Sequence, residues 1–311
     1  MRQSLTLAGM LGLALLGLAQ SGDGEPASIS SFAPALLEPG EKAFGDDEKL
    51  IVLPTGAEAL TIPLPFRTGY IAPSPDGRAL YVVRFIDSPQ SRSKAGLYKI
   101  EFGPTRATPV AGSGGLFSIS SIGSSENKVV VSAGSLDSAG HLDEKSCGIY
   151  ELTLVTGKVR KILSNSDCKY KSSWTSISVS PDGEQFVAVH ETRLMLMNLE
   201  TGAVRSLGDG FYKAAWSPDG SWIAALEYGG RSRTILLDTS TFSKRRELPK
   251  SGMVWSPDSR HIVVVGQQSR CGEDSGTLEL IDIENGKVSP VKGTACKVTS
   301  AIIGWLNVAG Q

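Results

Sequence analysis

Apolar and polar positions alternate along most of the chain, and from Lys49 onward the pattern has the period of two that belongs to half-buried strands. One unit recurs: a short apolar strand, a tight polar turn, and a second strand rich in β-branched residues. Its clearest copies carry the turns Ser74-Pro75-Asp76-Gly77, Ser180-Pro181-Asp182-Gly183, Ser217-Pro218-Asp219-Gly220 and Ser256-Pro257-Asp258-Ser259, with a degenerate copy at Ser124-Ser125-Glu126-Asn127. The residue types have a mechanical reason. Pro presets φ at the first central position, Asp bonds its own backbone, and Gly accepts the positive φ that closes the turn.

Each of these hairpins is followed by a second, alternating around a Thr-Gly or Asn-Gly turn. Copies run over Ile149 to Leu163, Leu194 to Leu207 and Leu278 to Val291, with weaker ones at Leu97 to Val110 and Thr234 to Leu248 and a first one at Leu50 to Leu64. The turn serines stand at 74, 124, 180, 217 and 256, so the intervals are 50, 56, 37 and 39 residues, which brackets the length of a four-stranded propeller blade. The fold class expected is all-β: a single six-bladed β-propeller with four-stranded antiparallel blades. Six second hairpins but only five first hairpins are present, so the ring is expected to close with strands from both termini, Ser300 to Val308 lying beside Leu50 to Leu64. Insertions at Arg84 to Gly96, Ala133 to Gly148 and Gln267 to Gly276 all fall between the first and second hairpin of a blade.

Three regions follow along the chain. Residues 1–19 read as a signal peptide, with Arg2, an apolar run from Leu5 to Leu18 and small residues before a cleavage after Ala19; an uncleaved buried or interfacial helix is the alternative. Residues 20–48, rich in Gly, Ser, Pro and Glu, read as a largely irregular linker, and the propeller spans 49–308. The apolar run is short for a membrane span and no later stretch exceeds it, so no transmembrane anchor is expected and the location is periplasmic or secreted.

In an oxidising compartment an even cysteine count points to disulfides. Both kinds of loop that hold the cysteines emerge on one face of a propeller, which makes Cys147 with Cys168 and Cys271 with Cys296 the natural pairs. A four-cysteine zinc site is the alternative, and it lacks the tight spacings such sites use.

With Trp216 before it, the Ser217-Pro218-Asp219-Gly220 turn resembles the WD-like propeller repeats of TolB-type proteins, and the likeness runs from about Lys49 to Val308. The resemblance implies the fold, and it fits binding proteins, peptidase gates and enzymes alike. Two departures stand out. TolB proteins carry a separate domain before the propeller where only a linker is seen here, and the peptidase relatives carry a nucleophile elbow that this chain lacks.

Composition narrows the chemistry. Lys and Arg total 31 against 32 Asp and Glu, so no basic field exists to neutralise a phosphate backbone and nucleic acid is not an expected partner. The histidines are His141, His190 and His261, no two at helical metal-ligand spacing; His141 lies in an acidic stretch, His190 ends a strand, and His261 opens one. The turn aspartates Asp76, Asp182, Asp219 and Asp258 sit where each hairpin needs an Asx residue, and Trp216 and Trp255, which repeat, read as packing between blades.

Function is therefore expected on the face that carries the insertions, where rigid strands support nonrepeating loops. The candidate residues are Arg67, Tyr70, Arg84, His190, Phe211, Tyr212, Tyr228 and Arg231, a mixture of arginine and aromatic groups suited to an anionic or carbohydrate-like ligand or to a peptide. The leading expectation is an exported, non-catalytic binding or scaffolding protein with a protein or peptide partner, no cofactor, no metal and no catalytic residues. One alternative is a metal-dependent propeller enzyme of lyase or lactonase type working in the central funnel. A TolB-like envelope component is the other, implied by the resemblance.

Overall fold

The four Ser-Pro-Asp turns fold as one hydrogen-bonded unit. In each, the serine hydroxyl donates to the aspartate Oδ1, at 2.6 Å for Ser74, 2.5 Å for Ser180, 2.6 Å for Ser217 and 2.5 Å for Ser256. The same hydroxyl accepts the N–H five residues on, and the carboxylate accepts the N–H two residues beyond itself, as in Trp222 to Ser217 at 2.9 Å and Ser221 to Asp219 at 3.0 Å. Burial acts to raise the Asp219 carboxyl, but hydrogen bonds from the Ser217 hydroxyl, Ser221 and Ser259 hold it below the ordinary carboxylate range. The structural reading of these aspartates is what the geometry shows. In the degenerate copy the Ser125 N–H donates to the Lys128 carbonyl, closing a turn two residues shorter than the others.

The computed structural model describes residues 32–38, 48–52, 60–66, 68–84, 96–102, 106–136, 138, 142–164, 174–229, 233–243, 245–267, 276–291, 294 and 301–307. Residues 1–19, read as a signal peptide, lie outside them, as do His141, Cys168, Cys271, Cys296, Arg67 and Arg231. Among the described residues no helix is long and apolar enough to cross a membrane.

The strands form six four-stranded antiparallel sheets, five of them built from four consecutive strands. Sheet 2 holds β4 (Thr68–Pro73), β5 (Ala79–Arg84), β6 (Leu97–Glu101) and β7 (Arg106–Pro109). Sheet 3 holds β8 (Phe117–Ser124), β9 (Lys128–Leu136), β10 (Leu142–Thr153) and β11 (Val159–Ser164). Sheet 4 holds β12 (Trp174–Val179), β13 (Gln185–His190), β14 (Arg193–Asn198) and β15 (Val204–Gly208). Sheet 5 holds β16 (Phe211–Trp216), β17 (Trp222–Glu227), β18 (Arg233–Asp238) and β19 (Arg245–Leu248). Sheet 6 holds β20 (Val254–Trp255), β21 (His261–Gln267), β22 (Gly276–Asp282) and β23 (Val288–Pro290).

Sheet 1 is composite, in the order β24 (Ala301–Asn307), β1 (Phe32–Glu38), β2 (Lys49–Val52), β3 (Leu60–Pro63). The C-terminal strand does not lie directly beside Leu50 to Leu64, because β1 intervenes: Ala35 is opposite Gly304 on one side and Val52 on the other. The segment read as linker thus supplies a strand. Its Pro34 lies where β1 has run past β2, whose pairing begins at Ala35, so the strand tolerates a residue without an N–H there. The insertion Ala133 to Gly148 is likewise no simple loop. It extends β9 and β10 as a paired hairpin, with a bulge between Asp143 and Gly148.

Contacts between sheets run through the first strands, from β24 to β4, β4 to β8, β8 to β12, β12 to β16, β16 to β20 and β20 to β24. Apolar clusters fill the wedges between neighbours, as where Phe186 and Met197 of sheet 4 pack with Val130 and Ile149 of sheet 3. Ile51 of sheet 1 packs against Val263 and Leu278 of sheet 6. Serines stitch the first strands together: the Ile177 N–H donates to Ser121 at 2.9 Å, Ala214 to Ser176 at 2.8 Å and Trp216 to Ser178 at 3.0 Å. The two repeated tryptophans fill the wedges, and the Trp255 indole also donates to the Ala215 carbonyl at 3.1 Å. The arrangement is an all-β propeller with four-stranded antiparallel blades.

Ser259 explains its own departure from the repeat. It holds φ +58 where the other turns have glycine at φ +67, +71 and +75, a left-handed conformation that costs a side-chain-bearing residue about 1 kcal/mol. Its buried hydroxyl accepts the Asp219 N–H of the neighbouring turn at 2.9 Å, which offsets the strain. Ser259→Ala keeps the strain and strands that N–H, so it is expected to lose about 1–2 kcal/mol in urea unfolding and to raise the Asp219 carboxyl pKa. Ser259→Gly removes both strain and bond and is expected to fall between. An alanine variant as stable as the parent contradicts this account.

Candidate functional site

At the end where the insertions emerge, four of the first strands lose register. Thr68 is opposite Arg84 and Ile71 opposite Val82; Thr175 is opposite Val189 and Ser178 opposite Val187; Phe211 is opposite Glu227 and Lys213 opposite Leu226. A similar shift lies between Phe117 and Ser121 in β8. Each shift is a β-bulge, which frees the extra residue from the ladder and turns the strand locally. The freed positions include Tyr70, Ser176 and Tyr212. Ser176 sits at φ +53, and the bond from the Ala214 N–H holds it there.

The sequence candidates divide by what they touch. Tyr70 is 46% exposed and Tyr228 61% exposed. The Tyr228 ring meets Tyr212 at 4.8 Å between centroids and 45° between planes. His190 lies opposite Trp174 in register, with its ring 4.5 Å from the Trp174 ring. The Arg84 guanidinium stands 5.4 Å over the Phe66 ring, which packs 4.9 Å from Tyr98. Phe211 is buried in the wedge between sheets 4 and 5, so it anchors the face without forming part of it.

Sheets 4 and 5 meet here through backbone. The Phe211 N–H donates to the Thr192 carbonyl at 2.8 Å, and the Tyr228 N–H donates to the Gly210 carbonyl. These bonds bring His190, Tyr212 and Tyr228 to neighbouring strand ends. Tyr70 and Arg84 belong to sheet 2, separated by sheet 3 from this group.

Sequence reasoning passed over several groups. Trp174, buried beneath His190, opens its strand where Thr68 and Phe211 open theirs, and that equivalence was its signal. Glu48 is buried and accepts from both the N–H and the hydroxyl of Thr68 at 2.7 Å, tying sheet 1 to sheet 2 at this end. Its position in the supposed linker gave no hint of that role. Cys147 is buried and disulfide-bonded, and its partner lies outside the described residues.

The opposite end, formed by the turns, holds a cleft of about 650 Å³ between sheets 3 and 4. Buried Glu151 lies in it with Arg160 at 3.0 Å and Lys128 at 3.7 Å, and these cations also donate to the Leu199 and Gly183 carbonyls of sheet 4. The group is a polar staple between sheets, since its charges are already satisfied. His261 opens β21 as expected, and its Nδ1 is buried 3.6 Å from the Asp258 carboxylate without a hydrogen bond. Among the described residues, His, Cys, Asp and Glu form no group of three able to hold a metal ion.

No family model matches the chain, and no curated protein matches it. Solved structures do. TolB from Acinetobacter baumannii superposes with a TM-score of 0.63 at 16% identity over 88% of this chain, which spans 66% of that protein's length. A chain of a nidogen/laminin complex gives a TM-score of 0.58 at 10% identity over 88% of this chain and 97% of its own. A Bacteroides fragilis protein provisionally named 6-phosphogluconolactonase gives 0.50 at 10% identity, covering 90% of this chain and 99% of that one. At such identities the likeness establishes the fold alone, and this chain is an all-β propeller with four-stranded antiparallel blades.

Proposed function

We propose that the chain is an exported binding or scaffolding propeller, periplasmic or secreted, that presents the insertion face to a protein or peptide partner. The observation that carries this reading is the set of bulges, which lifts nonrepeating tyrosines out of otherwise repeating strands at one end. The ring is six-bladed and closed by β24 against β1, a reading supported by the contacts of β24 with β4 and β20 and by Ile51 on sheet 6. The disulfides are Cys147 with Cys168 and Cys271 with Cys296, supported by the bonded state of Cys147.

The test is capture of a partner from the envelope or the medium by the intact protein and by two variants. Tyr212→Ala with Tyr228→Ala is expected to abolish capture, whereas Val155→Ser, at an 81% exposed turn of the opposite end, leaves it unchanged. Equal capture by the double variant refutes the face. Stoichiometric calcium or manganese in the purified protein, together with a turnover lost on chelation, replaces this reading with an enzymatic one.

A further inference from the structure

The rim where sheets 4 and 5 meet carries two carboxylates without a bonded cation near its tyrosine pair. Glu227 adjoins Tyr228 and lies opposite Phe211, while Asp209 precedes the Gly210 carbonyl that holds the Tyr228 N–H. Among the described residues neither carboxylate has an ion pair or a side-chain hydrogen bond. The nearby cations are bonded elsewhere or to neither acid: Arg193 pairs with Glu191 at 3.3 Å, Arg233, in register with Glu227, is held by the Glu247 carboxylate at 3.0 Å, and Lys213, in register with Leu226, pairs with neither.

Resting on the binding reading above, we propose that this rim takes a basic side chain, lysine or arginine, from the partner segment. Tyrosine faces attract a cation through the ring quadrupole, and the Tyr212–Tyr228 pair, 4.8 Å between centroids, brings two such rings to one place. Glu227, next to Tyr228 in the chain, and Asp209, next to the Gly210 that holds the Tyr228 N–H, supply the charge complement, which raises the rate of encounter as well as its strength. An acidic or phosphorylated segment meets repulsion at both acids. An apolar segment leaves them dehydrated and unpaired.

The experiment uses the intact protein labelled with 3-fluorotyrosine, its Tyr212 and Tyr228 fluorine signals assigned by Tyr→Phe variants. End-blocked Gly-Arg-Arg-Gly is titrated against blocked peptides with glutamate or norleucine in place of arginine. The arginine peptide is expected to move both signals, with binding that weakens as salt rises and falls about fivefold in Glu227→Gln. Glu227 is half-buried at a strand end, so retained thermal unfolding certifies the variant. Equal shifts with norleucine or glutamate, or no loss in Glu227→Gln, overturn the proposal. The double tyrosine variant losing its partner while the arginine peptide leaves both signals still removes this inference and keeps the face. An arginine peptide that binds while the double variant keeps its partner does the reverse.

Discussion

Replacing Gly112 with alanine is expected to destabilise the protein by about 3 kcal/mol or more, although the residue is exposed and lies in a connection. Two independent effects add. Gly112 holds φ +81, a conformation that costs alanine about 1–2 kcal/mol. An added Cβ also lands on the Gly157 carbonyl oxygen and comes within 3.0 Å of Val159 Cγ2, so backbone must move against backbone. Gly157 is fixed by its own turn, at φ +65 with its N–H bonded to the Thr153 carbonyl at 2.8 Å. The connection into sheet 3 therefore has nowhere to yield. Gly114, two residues on, has negative φ and open space around its Cβ position, and Gly114→Ala is expected to stay within about 0.5 kcal/mol of the parent. Urea unfolding of the two variants checks the contrast; equal midpoints contradict it.

Deleting residues 301–311 is expected to have the second large effect. The deletion removes β24, leaving β1 paired with β2 alone and exposing an open edge along Ala33 to Leu37. It also removes the neighbour of both β4 and β20 and uncovers Ala35, which is fully buried. A loss of roughly half of a typical 5–15 kcal/mol stability follows, with broad, non-cooperative thermal unfolding. A truncated chain that unfolds as sharply and as late as the parent contradicts it.

The turns were the most legible part of the sequence, because Pro, Asp and Gly at fixed offsets dictate a local geometry that tertiary context only repeats. Strand β1 was not legible. Pro34 reads as a breaker, and only the edge position it occupies makes it tolerable. The bulges were hidden for a different reason: one extra residue in an alternating pattern looks like a slip of phase, and only the partner strand reveals it. That is why Tyr70 and Tyr212 were found as candidates by their nonrepeating character, while the device that presents them was missed. The same limit misjudged Phe211, whose neighbour Tyr212 is lifted out while Phe211 itself turns into the wedge. Arg84 and His190 were placed correctly at strand ends, yet each lies against a ring that only the fold brings near.

The central claim is that the C-terminal strand is integral to sheet 1, inserted between the first strands of sheets 2 and 6. Native-state hydrogen exchange across residues 301–307 and 32–38 tests it most directly. The account predicts that amides of both segments open only with global unfolding, at the same free energy as those of β16. Exchange of 301–307 at the rate of a free chain end, while β16 stays protected, contradicts it.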